Sequence, residues 1–189
     1  MKKMEFGFTL IELVIGIVLI AILAIIAIPK FINYTYAAYV SQAEGIAANF
    51  EQSVTFTQYR WIASGDLTAQ TDLEGYAGED LDVNTLGFPL GIKKNRVMTQ
   101  PNNIGKGKKG CSDLWNALLA DPPTVSHLPK VDSDYLSIRY ASTSEGPSYQ
   151  DSCYYINRLY GFNSNSPEDS QIKISYNSSK GTVIVITNE

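Results

Sequence analysis

The chain has 189 residues, a formal net charge of −4, 44% hydrophobic and 18% charged residues, which is too apolar for a disordered polyelectrolyte and enough for one domain with an appendage. Its 14 Gly and 8 Pro follow no period, excluding collagen, and its acidic balance gives no global attraction to nucleic acid. One His and two Cys leave almost no material for a metal centre of several imidazole or thiolate ligands, so no metal and no cofactor is expected.

The apolar residues are concentrated at the start. Leu13 to Ile28 are all apolar or Gly, and extension back to Phe8 adds only Thr9 and Glu12 as interruptions. As a helix that longer stretch reaches about 31 Å, close to the hydrocarbon thickness of a bilayer. Lys2 and Lys3 on the short flank predict a cytoplasmic amino terminus, with the rest of the chain outside. A cleaved secretory signal is the rival reading, but Ala27-Ile28-Pro29-Lys30-Phe31 shows no small-x-small cleavage pattern. Glu12 also lies inside the segment, where an ionised acid costs on the order of 2.5 to 3.5 kcal/mol and demands a partner or a role.

Gly7, then Phe8-Thr9-Leu10-Ile11-Glu12-Leu13, then an apolar helix ending in Pro29-Lys30-Phe31, resembles the class III signal of type IV pilins and pseudopilins. The resemblance implies that a prepilin peptidase cuts between Gly7 and Phe8 and methylates the new amine. Residues 1–7 would then be a leader, and the net charge would shift to −5. The Phe8 amine and Glu12, one helical turn apart, would be the assembly pair. An incoming subunit's amine would reach a neighbour's Glu12 in a staggered bundle, and other registers would leave a charge buried. The resemblance further implies a self-polymer, an inner-membrane assembly platform with its ATPase, and single-pass residence in the inner membrane before export as an extracellular filament of a Gram-negative bacterium.

Pro29 lacks an amide hydrogen and its ring opposes the carbonyl of Ile25, so it is the expected hinge between a membrane or filament-core helix (8–30) and an amphipathic half (31–64). In that second half Ile32, Tyr36, Val40, Ala43, Ala47, Phe50, Val54 and Trp61 fall on one helical face, while Gln42, Glu51 and Gln58 fall opposite. Ser64-Gly65-Asp66 should stop the helix. From there a head, 65–189, begins with a Gly-rich stretch to Gly110 of turns and short strands. A short helix is predicted after Cys111, stopped by Pro122-Pro123. Strands are predicted at Tyr135–Tyr140, Cys153–Leu159, Ile172–Tyr176 and Thr182–Thr187, the last two forming a hairpin. The expected fold is α+β, the pilin fold: a long amino-terminal helix, half transmembrane and half amphipathic, packed on a carboxyl-terminal antiparallel sheet.

Cys111 and Cys153 fall on the oxidising side of the membrane and are expected to form a disulfide. The only His, His127, brings no motif that would make either a catalytic thiol. Pilins commonly close a carboxyl-terminal loop this way, and Cys111-Ser-Asp-Leu-Trp-Asn-Ala-Leu-Leu with Ser152-Cys153-Tyr-Tyr is most similar to pilins of the mannose-sensitive haemagglutinin type. The expected role is therefore a structural, non-enzymatic pilus subunit serving attachment, with a type II secretion pseudopilin or a minor pilin as the alternative.

Lys93, Lys94, Arg96, Lys106, Lys108 and Lys109 form a basic island without an acid between Ile92 and Gly110. Lys106, Lys108 and Lys109 are the candidate patch for a surface glycan, DNA or another anionic ligand, with a solvated loop as the alternative. Asp80, Asp82 and Asn84 open like a calcium loop, but Thr85 and Gly91 stand where an EF-hand needs Gly and an acid. Tyr34, Tyr36 and Tyr39 cluster after Pro29, and the sequon Asn177-Ser-Ser has little weight.

Overall fold

The computed structural model describes residues 8–92, 102–105, 107–140 and 150–188, leaving aside the side chains of residues 29–33 and 79. The chain divides into two compact units, Met1–Ala38 and Tyr39–Glu189. Helix α1 (Leu10–Ser64) contributes its first part to one unit and the remainder to the other. In the first unit, Leu10–Ile28 has mean hydropathy 3.2 with none of it buried, a length and composition able to cross a membrane. Helical assignment continues through Pro29, while the Pro29 side chain is outside the described residues.

In the second unit the periodicity of α1 becomes packing. Ala43, Ala47, Phe50, Val54 and Trp61 are buried, and Thr57, fully buried on the same face, donates its hydroxyl to the Ser53 carbonyl at 2.8 Å. Gln42 and Glu51 are exposed, and Gln58, half-buried, donates to the Leu86 carbonyl at 3.0 Å. Gly65, at φ 76°, ends the helix and returns its N–H to Ile62 O at 3.2 Å, a left-handed cap that Gly adopts without a Cβ penalty.

The Gly-rich stretch forms a small antiparallel pair, β1 (Leu81–Val83) and β2 (Pro89–Ile92). Helix α2 (Gly110–Leu118) buries Cys111, Leu114, Trp115 and Leu118. The main sheet runs in order β3 (Val125–Ser126), β4 (Tyr135–Tyr140), β5 (Ser152–Asn157), β6 (Ile172–Asn177) and β7 (Thr182–Thr187). Four of its strands are antiparallel neighbours, as the alternation predicts, and the β6–β7 hairpin pairs Asn177 with Thr182. The sheet is nevertheless mixed: β3 pairs parallel to β4. That strand is only two residues long, too short for any alternation to show in sequence. It is held by Asp134, whose Oδ2 accepts from the Thr124 N–H at 2.9 Å and hydroxyl at 2.7 Å. The second predicted strand ends at Asn157, not Leu159, because the Asn157 Oδ1 accepts from the Leu159 and Tyr160 amides at 2.8 and 3.0 Å and turns the chain.

Between helix and sheet lies an aromatic core. The Phe50 ring centroid is 6.2 Å from Trp115, 5.6 Å from Tyr155 and 5.3 Å from Tyr176. Each buried polar tip has an acceptor: Trp115 Nε1 donates to Pro123 O (3.0 Å), Tyr155 to Cys111 O (2.9 Å) and Tyr176 to Pro89 O (2.7 Å). These bonds offset the desolvation of the polar groups and orient the rings at the same time.

Candidate functional site

Two regions carry the residues that the sequence singles out. The first is the start of α1. Glu12 Oε2 accepts from the Thr9 N–H at 3.0 Å and hydroxyl at 2.7 Å, and Thr9 Oγ1 accepts from the Glu12 N–H at 3.3 Å. This is a reciprocal capping box, in which Thr and Glu three residues apart satisfy amides that the first helical turn leaves without partners. Around it the apolar side chains face outward: Phe8 is 85% exposed, Leu10 80% and Ile25 73%. A single carboxylate thus stands at one end of an unpartnered apolar rod. Gly7 lies outside the described residues.

The second region is in the head. Cys111, in the first turn of α2, and Cys153, in β5, are joined by a disulfide with a Cα–Cα distance of 5.7 Å, and both are fully buried. Arg139 is the register partner of Cys153 across β4 and β5. Its Nη1 donates to Ile104 O at 2.6 Å and to Gly105 O at 3.3 Å, so β4 grips the loop that leads into α2. That loop approaches α2 very closely. A Cβ on Gly105 would lie 2.2 Å from the Gly110 Cα, so this backbone crossing requires glycine. Burial pulls the Arg139 pKa below the ordinary arginine value, and its Nε is buried without an acceptor among the described residues.

Of the basic island, Lys106 falls outside the described residues, as do Lys93, Lys94 and Arg96. Lys108 and Lys109 are exposed, and Lys109 Nζ reaches Asp113 Oδ1 at 3.5 Å, a surface pair of small energetic weight. Lys108 and His127 line a cavity of about 380 Å³ together with Gly107, Ser137, Ile138, Arg139 and Gln150.

The polar residues of the calcium-like run have structural partners. Asp82 Oδ1 accepts from the Asp72 amide at 3.0 Å, and Asn84 Oδ1 accepts from the Leu86 and Phe88 amides, both at 2.9 Å. Asn84 Nδ2 donates to Ser178 O at 2.7 Å, tying this turn to the β6–β7 hairpin. Asn177, of the sequon, donates to Asp151 Oδ2 at 3.3 Å and Ser152 Oγ at 2.9 Å. Tyr34 is 67% exposed, whereas Tyr39 stacks on Tyr160 at 5.4 Å.

Sequence reasoning passed over Thr9 and Arg139. Thr9-x-x-Glu12 is the capping-box pattern and was readable. Arg139 lay within an alternating strand and carried no local signal, because its partners are 34 and 35 residues away.

Comparison with known proteins bears on both regions. Residues 2–28 match the model of the prokaryotic N-terminal methylation motif. The chain is 33% identical over 121 residues to a fimbrial protein of Neisseria meningitidis serogroup A, covering 61% of this chain and 68% of that protein. It is 32% identical over 128 residues to the type IV major pilin protein PilE1 of Neisseria gonorrhoeae, covering 61% and 70% respectively. No solved structure matches. An outward-facing apolar helix with an acid in its first turn, a disulfide-closed α+β head and this similarity across two thirds of established pilins agree, and the chain belongs to the type IV pilins, structural subunits rather than enzymes.

Proposed function

We propose that this chain is the repeating subunit of a type IV pilus of the mannose-sensitive haemagglutinin type, displayed for surface attachment. Before assembly it resides in the inner membrane through the apolar part of α1. A prepilin peptidase removes residues 1–7 at the Gly7–Phe8 bond, and the subunit then passes into a filament whose core is the bundle of these helices. Moving apolar side chains from lipid to neighbouring helices gains little, because lipid is itself apolar. Extraction therefore calls for an assembly platform and an ATPase.

The observation that carries this reading is Glu12, the one acid in a span with mean hydropathy 3.2 and no buried residue. Thr9 supplies its hydrogen bonds but no positive charge. A cationic amine on Phe8 of an adjoining subunit supplies that charge only when two helices are staggered, so the pair specifies register. The haemagglutinin subtype rests on the likeness around Cys111 and Cys153, and attachment rests on the subtype.

Glu12→Ala should reach the membrane in normal amount and yield at least about a hundredfold fewer sheared filaments, since an unmatched charge in an apolar bundle costs several kcal/mol. Mass spectrometry of sheared material should find a methylated Phe8 at the start of the mature chain. Wild-type filament yield from the variant, or a mature chain beginning beyond Ile28, would overturn the proposal. Protein found only in periplasmic fibres would favour the pseudopilin alternative.

A further inference from the structure

The cavity at Arg139, the register partner of Cys153, is lined by several separate segments of the head. Lys108 comes from the turn before α2, His127 from just after β3, Ser137 and Arg139 from β4, and Gln150 from the approach to β5. Three side chains able to carry positive charge thus converge from three separate segments, in a protein whose net charge is −4. No acid stands among the described residues that line it. Arg139 makes no ion pair among the described residues: its Nη1 is spent on two backbone carbonyls and its Nε has no acceptor. A half-buried guanidinium held rigid by carbonyls, with no counter-charge among the described residues, makes this wall electropositive, so an anion entering the cavity is attracted in a partly desolvated place.

We propose that this cavity binds the carboxylate of an acidic sugar unit. The inference rests on the chain being displayed on a surface filament. A volume of about 380 Å³ falls at the small end of ordinary ligand sites and suits one ring rather than a chain of them. Arg139 sets a fixed positive charge in the cavity wall, exposed Lys108 adds a mobile ammonium that can pair with a carboxylate directly, and Ser137 and Gln150 bring polar groups for sugar hydroxyls. Ile138 supplies an apolar wall for the C–H face of the ring. Duplex DNA fits less well, because it is recognised by cations spread along a track of phosphates, whereas these cations point to a single cavity.

The test uses filaments sheared from cells, applied to beads that carry glucuronic acid or glucose on the same linker. Filaments should be held on the glucuronate beads about tenfold better than on the glucose beads, and free glucuronate should elute them. Lys108→Gln, at an exposed residue, should leave filament yield unchanged and abolish most of that difference. Arg139→Lys keeps the charge but loses the contacts to the Ile104 and Gly105 carbonyls that fix it in the wall, and should weaken retention as well. Equal retention on the two beads overturns the proposal, as does an unaltered Lys108→Gln filament. Elution by inorganic phosphate at the same concentration as glucuronate would reassign the cavity to a phosphate, and retention on DNA beads that survives Lys108→Gln would place any DNA contact elsewhere. Failure to form filaments at all would sink the assembly reading instead, and the same beads then test the detergent-solubilised subunit.

Discussion

Single residues decide two features that no average property of the chain could. Thr9 and Glu12 bond to each other, so the acid at the head of the apolar helix is hydrogen-bonded before any neighbour arrives. Among the described residues no cation compensates its charge, and local hydroxyl and amide groups cannot supply one. Gly105 has the opposite kind of importance, since its value lies in having no side chain. At φ 57° it passes within reach of Gly110, and its N–H donates to Leu90 O at 2.6 Å. The obstructing atoms are backbone, so no rotamer change can relieve them. Gly105→Ala is expected to destabilise the head by at least about 2 kcal/mol, from left-handed strain plus the clash, measured by urea unfolding in detergent. Gly107→Ala, whose Cβ would meet nothing within 4 Å, serves as the control and should cost only the backbone strain.

At the scale of elements, the head is organised by tethers between pieces that are weak alone. β3 is two residues long, α2 nine, and the described residues between β2 and α2 hold only one 3-10 turn, Gly107–Lys109. The Cys111–Cys153 bond fastens α2 to the middle of the sheet across 42 positions, and in the chain-entropy model a loop of that size contributes about 4 kcal/mol. Replacing both cysteines by Ser should lower unfolding stability by about that amount and loosen α2 first. Hydrogen exchange of the α2 amides, compared with those of β6, would reveal it; equal protection loss in both would show that the bridge acts only through the unfolded chain. The hairpin has its own clasp. Asp151, nearly fully buried, accepts from Asn177 Nδ2 at 3.3 Å and from the Ser179 hydroxyl at 3.1 Å, while its carbonyl accepts the Ser178 amide at 2.8 Å.

For the whole molecule, the aromatic core ties stability to alkaline pH. Burial raises the pKa of Tyr155 and Tyr176 well above 10, with the nearby Tyr155 adding to the shift at Tyr176, and burial also raises that of Tyr135. In each case the folded state retains a proton that the unfolded chain releases near pH 10. Stability from these groups is therefore complete below pH 10 and declines as pH rises above it, by about 1.4 kcal/mol per pH unit for each tyrosine held neutral. The head should unfold cooperatively above pH 10, with a step in tyrosinate absorbance from the buried rings in the same transition. Tyr154, stacked on Tyr140 at 3.9 Å and pushed up to about 12, should titrate in that range too. Loss of near-ultraviolet circular dichroism above pH 10 without an accompanying step in tyrosinate absorbance would contradict this.

The amino-acid sequence determined on its own whatever depends on neighbours in the chain. The apolar span, its acid, the buried stripe on α1, the stop at Gly65 and the β6–β7 hairpin all follow from periods and caps a few residues wide. Tertiary structure decided what depends on residues distant in sequence. It set the parallel pairing of β3, the burial of Arg139 against the loop at 104–105, and the aromatic contacts of Phe50. It also converted the acid-free basic island of the sequence into two different situations, with Lys109 beside Asp113 and Lys108 in a cavity with Arg139 and His127. The physical reason is that a helix or hairpin satisfies its own hydrogen bonds and displays its pattern locally, whereas a cavity or a core is defined only when separate segments close around the same space.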